Sequence, residues 1–205
     1  MTAVAKQAYY RTRRMPASLP ALYFREFEGA HRILDVGCGT GDLGRHAPGS
    51  GVEVFGVDID AEALREAAPF ETVTCLDLEA APLPYEDGIF DAVLTKDIFE
   101  HVRDPGRLAR EVVRVVRPGG VVVASIVMAR PRTVWADYTH VRGFTRHTAA
   151  QLLEDAGLRV ERVWRMGGVP LAGRLGLVWL VPTLLRLPGC NQLWASSWEL
   201  KARRP

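Results

Sequence analysis

The sequence predicts an α/β fold, a doubly wound and mostly parallel seven-stranded sheet with a final antiparallel strand. Three observations predict it. Short apolar, β-prone runs alternate with segments whose apolar residues recur at helical spacing, the pattern of a parallel sheet with helices on its faces. The first such run leads straight into a glycine-rich turn, ILDVGCGTGDLG over residues 33–44. The second, VEVFGVDID over residues 52–60, ends in acids. Strand, glycine turn and helix start form the layout that brings a nucleotide-like ligand to the carboxyl end of a parallel sheet.

At 205 residues the chain suits one domain, spanning 1–205, with a sizeable core. Apolar residues make up 48% and charged residues 24%, ordinary globular values, and a net charge of +2 gives no electrostatic case for nucleic acid. The three cysteines, Cys38, Cys75 and Cys190, are far apart and odd in number. They suggest neither a zinc site nor a disulfide framework and fit a reducing cytoplasm. The first residues lack the apolar core of a signal peptide, and no apolar run reaches the roughly 18 residues of a membrane span.

In chain order, residues 1–30 read as a helical leader, with a helix over 18–27 and Tyr9 and Tyr10 placed to close as a lid. Residues 33–36 are the first strand, followed by Gly37, Gly39 and Gly41 at alternate positions, where a side chain would hold a ligand away from the backbone. Cys38 sits within the turn, where small size matters more than redox chemistry. The second strand ends at Asp58, about 20 residues past the first glycine, where a ribose-binding carboxylate belongs. Asp60 is the better cap for the helix that follows. Residues 71–75 form a third strand ending at Asp77 and Leu78, and 89–95 a fourth, leading into Lys96-Asp97-Ile98-Phe99-Glu100-His101. A helix spans 105–116, the run RPGG at 117–120 stops it, and 121–127 is a buried fifth strand. Thr145 caps a helix through Ala156 that Gly157 ends, residues 158–164 form a sixth strand, and 196–203 alternate like a final antiparallel one. Residues 166–193 insert an apolar segment, broken by Pro182, between the last two strands.

The glycine turn alone leaves the ligand open. GTGDLG satisfies G-x-G-x-x-G, the dinucleotide fingerprint, while Asp35-x-Gly37-x-Gly39-x-Gly41 places an acid at the end of the strand. The second version, together with Asp77-Leu78, FDAVLTKDIFEHV and RPGGVVVAS in that order, resembles the class I S-adenosylmethionine (SAM)-dependent methyltransferases of small-molecule type, over about residues 31–165. The resemblance implies a Rossmann-like fold and SAM as cofactor, with S-adenosylhomocysteine as product. It also implies that Asp58 holds the ribose hydroxyls, with Ile59 beside it. Asp77 and Leu78 would hold the adenine, and Asp35, Gly37, Cys38, Gly39 and Gly41 would lie by the methionine part. Lys96 would lie near the cofactor through its backbone. An Asn/Asp-Pro-Pro-aromatic motif after the fourth strand is absent, which argues against a nucleic-acid adenine or an amide target.

Methyl transfer from a sulfonium needs alignment and exclusion of water, and a base only where the acceptor is still protonated. Residues 128–149, rich in Arg, Trp, Tyr and His, follow the fifth strand where acceptors enter such folds. His140, with Asp137 or Tyr138 as partner, and His101 are the candidate bases, His101 serving equally as a structural residue at a helix start. His31, His46 and His147 read as surface or helix-end residues. No His/Asp/Glu cluster has metal-ligand spacing, so no metal is expected. The apolar stretch 169–187 reads as a wall over the acceptor pocket, which predicts a small or lipid-like, partly apolar acceptor methylated at O, N or C. Peripheral membrane contact through that stretch is the other use its flanking Arg174 and Arg186 would suit. Two further classes stay open: an NAD-binding oxidoreductase, which leaves RPGG without a role, and a SAM-binding protein that transfers no methyl group.

Overall fold

The computed structural model describes residue 15 and residues 18–27, 29–49, 51–167 and 195–205. Its seven strands are β1 (Arg32–Val36), β2 (Glu53–Asp58), β3 (Thr72–Cys75), β4 (Phe90–Lys96), β5 (Val116–Val127), β6 (Arg159–Gly167) and β7 (Ala195–Arg203). They form one sheet in the order β3-β2-β1-β4-β5-β7-β6. Pairs among β1 to β5 are parallel, and β7 runs antiparallel between β5 and β6. The order reverses between β1 and β4, where Val36 lies beside Thr95, so the carboxyl ends of these strands stand side by side at the position where open α/β sheets bind ligands in a crevice.

The central strands β1 and β4, and β5 from Val121 on, are mostly apolar and buried because both faces are covered. Leu34, Val36, Val93 and Val122 pack into one core, with Leu108, Val112 and Val115 of α4 (Pro105–Val115) and Leu153 of α6 (Arg146–Asp155). Their neighbours Ile33, Ala92, Leu94, Val121 and Val123 turn to the other face, against Tyr23 of α1 (Ser18–Glu26), Phe27, and Leu43 of α2 (Asp42–Arg45). α3 (Ala61–Ala67) follows β2, capped by the Asp60 side chain as its sequence predicts. α4 begins with Pro105 behind the Asp104 cap, and Thr145 caps α6 with Thr148 reaching back.

Two boundaries differ from expectation. The helix of α4 stops at Val115, and β5 already begins at Val116, so RPGG lies within the strand, Arg117 to Gly119 exposed and Gly120 buried, where its pairing with β4 is irregular. A Cβ on Gly120 would come within 2.8 Å of the Asp91 and Arg117 carbonyl oxygens, which explains a glycine there better than a helix stop does. β6 runs on to Gly167 because β7 pairs with it that far, so the first two residues of the expected insertion belong to strand. The rest of that insertion and the Tyr9–Tyr10 lid lie outside the described residues. A short helix, α5 (Pro131–Val134), interrupts the loop after β5. Among the described residues no helix is long and apolar enough to cross a membrane.

Candidate active site

The glycine turn is fastened to β2: the Gly37 and Cys38 N–H groups donate to the Val57 carbonyl at 2.8 and 3.1 Å. Its glycines do different things. Gly41, at φ 74°, has Ala67 of α3 so close that a Cβ would sit 2.8 Å from it, so this glycine lets a helix approach. Gly39, at φ 52°, faces open space within 4 Å, leaving its backbone bare toward the crevice. Gly37 lies against Ile98, from the loop after β4. Cys38 is buried, and burial pushes its thiol far above the usual range, in keeping with a packing role.

Acids lie under this turn. Asp35 is 1% exposed, and its Oδ2 has no hydrogen-bond partner among the described residues. Burial, then the neighbouring Glu71 and Asp58, hold its pKa well above the ordinary carboxylate value. Glu71 accepts the Gly44 N–H at 2.8 Å, and burial pushes its pKa up to about 7. An unsatisfied acceptor in such a place is an open position for a ligand bearing donors or positive charge.

Asp58 ends β2 with both oxygens placed. Oδ2 accepts the Gly39 N–H at 2.8 Å and Oδ1 the Asp60 N–H at 2.9 Å, while burial raises its pKa. Each oxygen keeps a lone pair for a further donor. The carboxylate thus spans the glycine turn and the start of α3, and is more than a helix cap. Beside it Ile59 is 66% exposed, a large apolar side chain offered to the crevice. Asp77 is exposed and organises the turn after β3, its Oδ1 accepting the Glu79 N–H at 2.9 Å. Leu78 is half-buried, and its carbonyl is held by the Arg107 guanidinium of α4.

On the other side, β4 ends in Lys96, whose ammonium pairs with Asp97. Burial disfavours that charge, but Asp97, Glu199 and Glu100 outweigh it and raise the Lys96 pKa. Asp97 is the one non-glycine at positive φ (51°) among the described residues. Ser125 holds it there, taking the Asp97 N–H on its carbonyl at 2.9 Å and donating its hydroxyl to Oδ1 at 3.1 Å. Such a backbone persists only where its surroundings over-determine it, and it clusters at functional sites.

The two candidate bases, 39 positions apart in sequence, come together: the His101 and His140 ring centroids lie 4.7 Å apart at 61°. His140 meets Asp137 through the backbone, its N–H 3.3 Å from the Asp137 carbonyl oxygen. Its Nδ1 lies 2.8 Å from the Val134 carbonyl oxygen, whereas Asp137 bonds Thr139, and Thr139 lies 3.0 Å from His101 Nδ1. Three residues along an irregular loop do not share a face as they would on a helix, so Asp137 reaches the other imidazole. Burial, then His140, lower the His101 pKa. His31 is exposed, His46 closes α2 and His147 lies exposed near the start of α6, as their sequence positions suggest. Sequence reasoning missed Glu100, Glu199 and Tyr23. Glu100 had one available signal, its place beside His101. Glu199 is fully buried on β7, within an alternating strand that gave no sign of a buried charge.

Known proteins resemble this chain over most of its length. A family model described as a methyltransferase domain matches residues 34–124. An uncharacterized methyltransferase of Mycobacterium sp. (strain KMS) is 31% identical over 180 residues, covering 82% of this chain and 68% of its own. A ubiquinone biosynthesis O-methyltransferase of Thiobacillus denitrificans is 30% identical over 165 residues, covering 68% and 69%. Among solved structures, a SAM-dependent methyltransferase from Mesorhizobium loti superposes with a TM-score of 0.69 at 24% identity, covering 92% of this chain and 98% of its own.

Proposed function

The chain belongs to the class I SAM-dependent methyltransferases, and from that premise we propose that it methylates an O, N or C nucleophile of a small, partly apolar metabolite. Bound SAM supplies a methyl group on a sulfonium, and the dinucleotide reading of GTGDLG falls away. The residues present fit this cofactor. The buried, unpartnered Asp35 Oδ2 suits the ammonium of its aminoacyl part, and bare Gly39 suits close approach of the chain behind it. Asp58 would take the ribose hydroxyls, exposed Ile59 would offer apolar contact to the adenine, and Asp77 with Leu78 would hold its polar groups. Gly37, Cys38 and Gly41 hold the turn in shape, and Lys96 closes the crevice from β4.

The observation that carries the acceptor side is the meeting of His101 and His140 at the end of this crevice, on loops from β4 and β5. We assign these two imidazoles to preparing the acceptor's nucleophilic atom. Trp135, Tyr138 and Val141, 71%, 63% and 48% exposed on the same loop as His140, support an acceptor with apolar surface. The O-methyltransferase relative supports a hydroxyl acceptor.

The test is turnover of methyl-labelled SAM with a panel of phenols, alcohols, amines and carbon acids. His140→Ala is expected to lower kcat by about 10²–10⁴-fold while SAM affinity stays within twofold. Wild-type turnover in that variant would remove His140 from the acceptor site. SAM binding with no transfer to any acceptor would favour a protein that binds the cofactor for another purpose.

A further inference from the structure

The loop between β5 and α6 puts large apolar side chains in water. Its base is pinned where Met128 bridges to Phe144 and the Ala129 N–H donates to the Phe144 carbonyl at 2.8 Å. Higher up, the loop folds back on itself. His140 Nδ1 lies 2.8 Å from the Val134 carbonyl oxygen, and the Asp137 carbonyl takes the His140 N–H at 3.3 Å. Val134 and Asp137 are buried, while Trp135, Ala136, Tyr138 and Val141 stay exposed. Trp135, Ala136 and Tyr138 lie within the turn that the Val134–His140 contact closes, and Val141 follows it directly. Large apolar side chains gathered on one short turn mark a surface that meets something other than water.

Charge and residue type say what it meets. Residues 128–149 hold four arginines, Arg130, Arg132, Arg142 and Arg146, and one acid, Asp137, which the fold takes off the surface. Arg132 and Arg146 are exposed and form no ion pair among the described residues. Arg142 is turned to the Arg103 carbonyl, which takes its guanidinium N–H at 2.7 Å. The exposed part of the loop thus carries positive charge and no negative charge. A second copy of this chain suits it poorly, because a twofold contact sets a patch against itself and brings like charges together. A wholly apolar partner would leave the polar ends of Trp135 and Tyr138 without water or a hydrogen bond. Tryptophan and tyrosine beside arginine are the side chains that settle at the boundary between water and lipid. Their rings enter the apolar layer, and their polar ends and the guanidinium groups stay among anionic headgroups.

We propose that this loop docks on an anionic lipid surface, with Trp135, Tyr138 and Val141 entering the headgroup layer and Arg132 and Arg146 on its phosphates. The docking stands on the loop itself, apart from any contact through residues 169–187. Its use rests on the acceptor reading above: His140 lies on the same loop, so docking brings the acceptor side to the layer in which an apolar acceptor dissolves.

The test is sedimentation of the full chain with vesicles of phosphatidylcholine alone and of phosphatidylcholine mixed equally with phosphatidylglycerol, at low and raised salt. Binding is expected to the mixed vesicles, falling as salt screens the arginines, and only weakly to phosphatidylcholine alone. Arg132→Glu with Arg146→Glu is expected to weaken it by more than about tenfold while SAM affinity stays unchanged. Trp135→Ala with Tyr138→Ala is expected to weaken it by about tenfold at either salt concentration. SAM affinity reports folding in both double variants, whose changed residues are exposed. No binding to the mixed vesicles, or binding unchanged in either double variant, overturns the docking. Light scattering that finds the parent chain dimeric and the Trp135→Ala, Tyr138→Ala variant monomeric overturns it in favour of a second copy. Vesicle binding lost in both double variants, with full turnover kept in His140→Ala, leaves the docking standing and removes the acceptor reading. Turnover lost in His140→Ala, with no vesicle binding by the parent, does the reverse.

Discussion

At the scale of single residues, Asp58 concentrates the cofactor side. Its carboxylate already takes the Gly39 and Asp60 N–H groups, so it is held in place before any ligand arrives, and little entropy is lost when it accepts two vicinal hydroxyls. Asp58→Ala is expected to weaken SAM binding by about 1.5–3 kcal/mol for each charge-assisted bond lost. Calorimetry with SAM checks it, alongside a thermal melt, because the substitution also frees the Gly39 N–H. Unchanged affinity would remove Asp58 from the cofactor site. The imidazoles show the limit of reading residues one at a time. His140 and Asp137 are neighbours in sequence, yet the fold hands Asp137, through Thr139, to His101.

At the scale of the element, the glycine turn separates two demands that its sequence merges. Gly41 makes room for α3, since a Cβ would meet Ala67 at 2.8 Å, whereas the same atom on Gly39 would meet nothing within 4 Å. Gly41→Ala, which adds overpacking of about 1–3 kcal/mol to the backbone term of about 1–2 kcal/mol that its φ of 74° brings, is therefore expected to destabilise the fold with or without cofactor. Gly39→Ala is expected to cost only the backbone term of about 1–2 kcal/mol, because its φ of 52° disfavours a side chain. Its main effect should be on SAM, which it holds off the backbone. Urea unfolding and SAM titration of both variants check the contrast. Equal losses of stability with intact SAM binding would show that both glycines serve packing alone.

At the scale of the whole molecule, insertion of β7 between β5 and β6 sets Glu199 opposite Ser125, at the back of the crevice. Tyr23 of α1 donates its hydroxyl to Glu199 Oε2 at 3.3 Å and Ser197 donates to Oε1 at 3.0 Å, so one buried acid joins the first described helix to the last strand. Burial, with Asp97 adding to it, pushes its pKa from 4.5 to about 7. The folded state then holds a proton that the unfolded chain releases above pH 4.5, so this group's contribution favours folding at low pH and is lost as pH rises toward 7. Glu199→Gln keeps an acceptor for Tyr23 and carries no charge. It is expected to be more stable than the parent at pH 8, by on the order of 2–3 kcal/mol, the gain shrinking toward pH 4.5. Thermal melts of both proteins across that range check it. A variant less stable at every pH would show Glu199 ionised and held by Lys96.

What the sequence determined by itself was whatever is encoded locally or in fixed spacing. The alternating strands and helices, the caps Asp60 and Thr145, the glycine turn and Asp58 some twenty positions on are of this kind, because backbone sterics and strand length set their geometry within one βαβ unit. RPGG was legible as punctuation, though its glycine proved to answer the Asp91 and Arg117 carbonyls instead of ending a helix. Tertiary structure decided what depends on distant segments meeting. Glu100 and His101 find His140 only once β4 and β5 lie side by side and their loops cross the same crevice. Asp35 and Glu71 become buried acids only when β1, β2 and the glycine turn close over them. Glu199 looks in sequence like one more polar residue of an alternating strand, and becomes an interior carboxyl because β7 is paired on both edges and covered by α1. Charge burial is a property of the packed whole, and no window of sequence contains it.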